Sequence, residues 1–212
     1  MIESTTTMSF EASAIANLVA WVLYIATFAV SLSTRRRSER RRDARLLFGL
    51  LFQGAGHWIV PFTLRPFGSP LLPLDAGERD ALEQGVRVAA LVLEFGAVWL
   101  TVASIRTLGK QWALSARVIE DHQLVRSGPY GWVRHPLYTA VLGINTATAL
   151  TFARWEAVVA SIALSVLGGF IRARSEEHLL RETFGAEYAS YARSVPALVP
   201  GLRRWRSGSS SV

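Results

Sequence analysis

The sequence predicts an all-α integral membrane protein with about five transmembrane helices, of which the last two form a helical hairpin. Half of the 212 residues are hydrophobic, and the mean hydropathy is +0.26. The apolar residues are gathered into long uncharged stretches instead of being spread as in a soluble core. Of the 23 basic residues, 19 fall in three segments that follow apolar stretches, which is the charge pattern of a membrane protein.

The first predicted span is residues 12–33. It contains 22 residues without a charge, enough to cross a hydrocarbon core of about 30 Å as a helix. A cleaved signal peptide is the rival interpretation, but the preceding residues are acidic and the arginines follow the apolar stretch. Residues 34–45 hold seven arginines and two acids, so we expect this segment on the cytoplasmic side.

The second and third spans are predicted at residues 46–64 and 85–105. The Pro/Gly-rich loop between them, residues 65–84, carries two arginines against four acids and is therefore expected outside. Residues 106–136 hold five basic residues and return the chain to the cytoplasmic side. This topology places the amino terminus outside and the carboxyl terminus in the cytoplasm, in the plasma or inner membrane if the host is a bacterium.

Polar residues interrupt these spans. Gln53 and His57 lie in the second, and Glu94 lies near the middle of the third. A carboxylate at that depth is costly and by default suggests function. Pairing of Glu94 with Gln53, His57 or Asn145 inside the bundle would account for it equally well.

The hairpin is predicted from two shorter apolar segments, residues 137–152 and 155–171. Only Ala153 and Arg154 join them, and so short a link implies antiparallel neighbours. A helix of about 17 residues climbs about 25 Å, so the second helix brings the chain back to the level at which the first one started. We therefore expect the segments before and after the hairpin to face the same cytoplasmic space.

Several function classes are excluded or disfavoured. Without cysteines the chain has no disulfides, thiolate metal sites or cysteine nucleophile. The four histidines lack a metal-binding spacing such as HExxH, and no Rossmann, phosphate-loop or GxSxG glycine pattern occurs. The net charge of +7 could suggest nucleic acid, but the arginines lie beside apolar segments, so membrane topology explains them. We expect neither a metal nor a nucleic-acid partner.

The stretch SGPYGWVRHPLYTA, residues 127–140, precedes and enters the hairpin. Pro136 suits the first turn of a helix, His135 its cap and Tyr138 an interfacial belt, which together describe an ordinary entry into a membrane helix. That account does not explain the turn at residues 127–130 or the half-polar HQLV before it.

After the hairpin, Arg172 and Glu176 are one helical turn apart. An ion pair on the helix surface is one interpretation. The other is a ligand site, in which Arg172 offers a planar fork to an anion and Glu176 accepts hydrogen bonds from a cationic or hydroxyl-bearing ligand.

Together, HQLVRSGPYGWVRHPLYTA, the hairpin and RARSEEHLLRETFGAEYASYARSVPALVPG resemble the isoprenylcysteine carboxyl methyltransferase family and its phospholipid methyltransferase relatives. The resemblance covers roughly residues 108–201. It implies a membrane enzyme with a cytoplasmic pocket for S-adenosyl-L-methionine and a lipophilic or lipidated acceptor from the bilayer, most directly the carboxylate of an isoprenylcysteine-like substrate. The cofactor-binding residues that it implies are His122, Gln123, Leu124, Val125, Tyr130, His135, Pro136, Leu137, Tyr138 and Glu176.

In the same comparison Arg172 takes the position that serves the substrate, and Arg172 and Glu176 are the catalytic candidates. A further cofactor contact of the family, a glutamine, falls on Ser115, which puts a contact there in doubt. The chain is then one membrane domain: three spans in residues 1–105, a catalytic region in residues 106–201 and a flexible tail after it.

Other functions remain open from the residues alone. Phospholipid amine N-methylation or small-thiol S-methylation would use the same cofactor, and an amine would need Glu176 or Glu177 as a base. A membrane reductase of the sterol type has similar carboxyl-terminal segments. A transporter or scaffold could use Glu94 and His57 as a polar path.

Overall fold

A computed structural model of the protein describes residues 8–33, 51–57, 60, 64, 71, 76–109 and 123–200. Within these residues the regular structure is helical, and the one β-type pairing is an isolated bridge between Leu64 and Ala153. The main helices are α1 (Phe10–Ser33), α2 (Ala76–Leu108), α3 (Pro136–Phe152) and α4 (Trp155–Ser194), and a 3-10 helix spans Gly128–Gly131. Residues 51–57 are also helical.

Among the described residues, three helices are long and apolar enough to cross a membrane, judged by length and composition. They contain the candidate spans Phe10–Ser31, Asp80–Leu108 and Trp155–Ser194, which fit an integral membrane protein. α3 has only 17 residues, and most of the predicted second span lies outside the described residues. The count of five spans and the orientation of the termini stay predictions.

Two helices differ in length from the sequence prediction. α2 begins at Ala76, inside the predicted external loop, because the stretch AGERDALEQ is rich in strong helix formers. α4 continues past the predicted end at residue 171 to Ser194, with a break at Gly185, where φ is +49°. Residues 155–184, before this break, rise about 45 Å, which exceeds the hydrocarbon thickness of about 30 Å, so α4 carries a long segment beyond the apolar part.

α3 packs against each of the other main helices, and α1 also packs against α2. Small side chains make this close packing possible: Ala140, Ala147 and Ala149 are essentially fully buried along α3. A Cβ at Gly143 would lie 3.5 Å from the Cβ of Ala97 on α2. α3 is therefore the central helix of the described bundle.

α3 and α4 run antiparallel, and contacts at two levels show this. Near mid-helix, Asn145 Nδ2 donates to Ser165 Oγ at 3.0 Å. Nearer the start of α3, the Tyr138 hydroxyl donates to the Glu176 carboxylate. The beginning of α3 and the extended part of α4 therefore lie at the same end of the bundle.

Candidate functional site

The turn before α3 is held in place by local hydrogen bonds and by close contact with α2. The amide of Tyr130 donates to Ser127 O at 3.2 Å, and the amide of Val133 donates to Pro129 O at 3.1 Å. Gly128 has φ +55°, and a Cβ there would come within 2.9 Å of Thr107 Oγ1. Both facts favour glycine at this position. The turn buries Tyr130 and directs the chain toward the extended part of α4.

His135 and Tyr138 meet Glu176 and Glu177 at the start of α3. His135 Nδ1 lies 3.4 Å from Glu176 Oε2, and His135 Nε2 lies 3.4 Å from Glu177 Oε1. The rings of His135 and Tyr138 stack with their centroids 5.6 Å apart, and the Tyr138 hydroxyl donates to Glu176. An imidazole between two carboxylates and an aromatic face beside them form the centre of the candidate site.

Arg134 fixes the second of these carboxylates. Its Nε and Nη2 donate to Glu177 Oε1 at 2.9 and 2.5 Å, and both side chains are nearly buried. Arg181, one turn along α4, donates to Glu177 Oε2 at 2.8 Å from a position that is half exposed. Glu177 is therefore bonded on both oxygens, whereas Glu176 retains partial exposure, with 24% of its side chain accessible.

Residues 195–198, here called the carboxyl-terminal strap, fold back over the start of α3. The amides of Arg134 and His135 donate to Pro196 O at 2.9 Å and to Ala197 O at 3.0 Å. Thr139 Oγ1 donates to Leu198 O at 2.6 Å. The strap satisfies backbone donors at the helix start that would otherwise lack partners.

Arg172 does not form the i,i+4 ion pair that was one interpretation of its spacing to Glu176. Its Nη1 donates instead to Gln53 Oε1 at 2.8 Å, and its guanidinium carbon lies 4.3 Å from the centroid of the Tyr138 ring. Stacking on Tyr138 places the cation beside the same ring that carries the Glu176 contact. Gln53 thus joins the helical segment 51–57 to the site.

The charges around His135 determine its protonation. Burial alone would lower the pKa of His135, but its contacts with Glu176 and Glu177 outweigh burial and raise that pKa above 6.5. Burial raises the pKa of Tyr130, and the negative charge of Glu176 acts in the same direction.

The remaining predicted cofactor residues differ in how deeply they are buried. Pro136 is buried as the first residue of α3, and Leu137 is half-buried. Leu124 and Val125 are half-buried in a stretch without regular secondary structure, and Gln123 there is exposed. His122 and Ser115 lie outside the described residues. Arg126 anchors this stretch to α4 by donating to Glu187 Oε1 at 2.5 Å.

The predicted partners of Glu94 were wrong. Its Oε1 accepts a hydrogen bond from Asn17 Nδ2 at 2.6 Å, and Asn17 Nδ2 also donates to Thr148 Oγ1 at 3.0 Å. Asn145 donates to the main-chain oxygen of Gln53 at 3.1 Å instead. Glu94 therefore joins α1, α2 and α3, because the packing of α1 places Asn17 opposite it.

The sequence analysis gave no role to Arg134 or to the strap, and it considered Gln53 only as an interruption of a span and as a possible partner of Glu94. The one signal for Arg134 was its position before His135 in the polar stretch WVRHP. Gln53 is a polar side chain inside an apolar span, and such a residue is expected to have a hydrogen-bond partner on another helix. The strap gave none, because its contacts are made through backbone carbonyls.

The arrangement suits a ligand that carries a positively charged hydrogen-bond donor. The partly exposed carboxylate of Glu176 can accept a charge-assisted hydrogen bond from a cationic group. In the part of the chain that the structure describes, no group of three or more His, Asp or Glu side chains could hold a metal ion.

Comparison with known proteins matches the same region of the chain to a protein family. Residues 88–182 match the model of the isoprenylcysteine carboxyl methyltransferase family. This range contains the turn, α3 and the Arg172–Glu177 part of α4, but it does not include Gln53 or the strap.

Curated relatives carry two kinds of names. The chain is 35% identical over 125 residues to the nickel-cobalt-cadmium resistance protein NccN of Alcaligenes xylosoxydans xylosoxydans, covering 58% of this chain and 56% of that protein. It is 34% identical over 104 residues to protein-S-isoprenylcysteine O-methyltransferase B of Arabidopsis thaliana, covering 48% and 52%. It is 32% identical over 117 residues to protein-S-isoprenylcysteine O-methyltransferase of Saccharomyces cerevisiae, covering 53% and 48%. The chain spans about half the length of these relatives.

Proposed function

We propose that this chain, whose residues 88–182 match the model of the isoprenylcysteine carboxyl methyltransferase family, is a membrane methyltransferase that uses S-adenosylmethionine. The acceptor is lipophilic, and its carboxylate receives the methyl group. The observation that carries the proposal is the contact of His135 and Tyr138, before and at the start of the hairpin, with Glu176 after it. These are the two motif segments on which the family resemblance rests.

The residues at the site fit this cofactor. S-Adenosylmethionine has a positively charged sulfur, an ammonium group and an aromatic base, and the site offers a partly exposed carboxylate beside stacked rings. Glu176 would accept from the ammonium group, with its orientation set by Tyr138 and His135. The further residues proposed to hold the cofactor are His122, Gln123, Leu124, Val125, Tyr130, Pro136 and Leu137.

When bound, S-adenosylmethionine supplies an electrophilic methyl group on a positively charged sulfur. The protein then mainly aligns the acceptor with that group and excludes water. Arg172 would orient the acceptor carboxylate, which is already ionised at neutral pH and needs no base. The proposed cytoplasmic position of the site would let a water-soluble cofactor enter from one side and an apolar acceptor from the bilayer.

The first experiment measures cofactor binding, because this measurement does not depend on the identity of the acceptor. Calorimetry of S-adenosylhomocysteine with the purified protein should show binding. His135→Gln and Glu176→Gln should weaken it by about tenfold or more, the usual size of a lost charged hydrogen bond. Exposed residues of the same types on α4 provide the controls His178→Gln and Glu182→Gln, which should bind like the wild type. Absence of binding to the wild type would refute the proposal.

A second experiment identifies the product. Membranes containing the protein are incubated with radiolabelled S-adenosylmethionine, and the labelled lipid is treated with mild base. A carboxyl methyl ester releases volatile methanol, whereas an N-methyl or S-methyl product keeps its label. Retention of the label would replace the carboxylate acceptor with an amine or a thiol.

A further inference from the structure

Gln53 and Arg172 form a hydrogen-bonded pair with two donor groups left over. Arg172 Nη1 donates to Gln53 Oε1 at 2.8 Å. A guanidinium has donors and no acceptor, so the amide must present its oxygen to Arg172 and turn its NH2 group elsewhere. Gln53 Nε2 and Arg172 Nε are both buried and have no hydrogen-bond partner among the residues that the structure describes.

These donors are costly in this position. Gln53 is only 4% exposed, and a buried donor without an acceptor forfeits the hydrogen bond that water would provide. Each of the two groups belongs to one partner of the Arg172–Gln53 hydrogen bond, and the Arg172 guanidinium carries a full positive charge. An anionic oxygen would satisfy such donors, whereas an ammonium group would bring further donors and a like charge.

The surrounding contacts hold the amide in this place. The main-chain oxygen of Gln53 accepts a hydrogen bond from Asn145 Nδ2 at 3.1 Å, which ties segment 51–57 to α3. A Cβ on Gly169 would lie 3.8 Å from both Gln53 Nε2 and the Tyr138 Cβ. Glycine at position 169 therefore places no α4 side chain beside the amide, and the nearest neighbour of that position is Leu198 Cδ1 of the strap at 3.6 Å.

We infer that Gln53 is a specificity-determining residue: with Arg172 it forms a donor-only subsite that selects an anionic oxygen of the acceptor over a cationic amine. The inference rests on the proposed function, since it concerns the acceptor of the same site. Gln53 lies outside residues 88–182, so the family match assigns it no role. Segment 51–57 thereby contributes to acceptor choice from the part of the chain that carries no family motif.

The test compares two probes that share an apolar chain and differ in charge. S-Farnesylthioacetate is anionic, and S-farnesylcysteamine is cationic. Binding of each to the full-length protein, saturated with S-adenosylhomocysteine, is measured by calorimetry. The wild type should prefer the anionic probe by about tenfold or more.

Gln53→Met keeps the length of the side chain and removes its donor, and it should lower the preference at least about fivefold. Gln53→Glu should abolish or reverse the preference, since the new carboxylate pairs with Arg172 and repels an anion. The control Gln84→Met removes an amide that contacts Met8, away from the site, and should keep the wild-type preference.

A wild type that binds the two probes equally, or does not bind the anionic one, would overturn the inference. The inference would also be overturned if the Gln53 variants kept the preference for the anionic probe while Arg172→Ala lost that preference. Binding of S-adenosylhomocysteine alone is measured on the same samples and judges the proposed function separately. Full cofactor binding with no charge preference would therefore defeat only the role of Gln53.

Discussion

Replacement of Arg134 by alanine should be among the most destabilising single substitutions at the site. The Arg134 guanidinium donates to the Glu177 carboxylate through two nitrogens and to Ala192 O and Val195 O through the third. Its side chain is 11% exposed and that of Glu177 is 6% exposed. One side chain therefore joins the start of α3, the end of α4 and the strap.

The size of the effect follows from burial. Removal of one partner from a buried ion pair costs about 3–5 kcal/mol, because the remaining charge is left without compensation. Arg181 bonds the same carboxylate, but it is 52% exposed, so Arg181→Ala should cost less than about 1 kcal/mol. Arg134 and Arg181 bond the same glutamate but differ in burial, so a comparison of the two alanine variants separates the effect of burial from the effect of charge.

The assay is the free energy of unfolding in detergent micelles, measured by titration with a denaturing detergent and followed by circular dichroism. A double variant, Arg134→Met with Glu177→Leu, should recover part of the loss seen in Arg134→Ala, since the buried carboxylate is removed together with its buried partner. Equal losses for Arg134→Ala and Arg181→Ala would refute the assignment of a buried pair to Arg134 and Glu177.

Three further predictions concern single positions. His135 has a raised pKa, so the stability that its protonation contributes should be complete below about pH 6.5 and be lost as the pH rises through the raised pKa. The free energy of unfolding, measured from pH 6 to 9, should show this fall. His135→Gln should make the free energy of unfolding less dependent on pH in this range. Gly56→Ala should cost about 1–3 kcal/mol, because its Cβ would come within 2.8 Å of a backbone oxygen, whereas Gly96→Ala meets nothing within 4 Å and should not destabilise; equal melting temperatures would contradict this contrast. Asn17→Leu removes the donor to the buried Glu94 and should lower stability by about 0.5–2 kcal/mol in the same unfolding assay, and no loss would mean that the pair does not hold α1.

The hydropathy pattern was sufficient for the fold class and for the positions of most helices. Uncharged stretches predicted α1, α3 and the apolar parts of α2 and α4, because crossing a membrane requires length and apolar composition that can be read directly from the chain. Helix ends were less predictable. α2 starts in a predicted loop and α4 extends far beyond the apolar segment, since neither end is marked by a change in hydropathy.

The candidate site was predictable at the level of segments. A two-residue link between apolar helices led us to expect that the turn before α3 and the residues after 171 share one end of the bundle. Their chemical roles stay predictions, and His122 lies outside the described residues. The resemblance of the motifs to a family, rather than any spacing, supplied the cofactor.

Chain composition and order thus sufficed to predict an all-helical membrane protein with polar segments at the end of the hairpin opposite its two-residue link. The choice of partners came from the folded arrangement: Asn17 with Glu94, Arg134 with Glu177, and Gln53 with Arg172. Each pair joins residues that are 43 or more positions apart. Such pairing depends on how far each helix is rotated and how closely small residues let it approach, and neither quantity is contained in the polarity of a single segment.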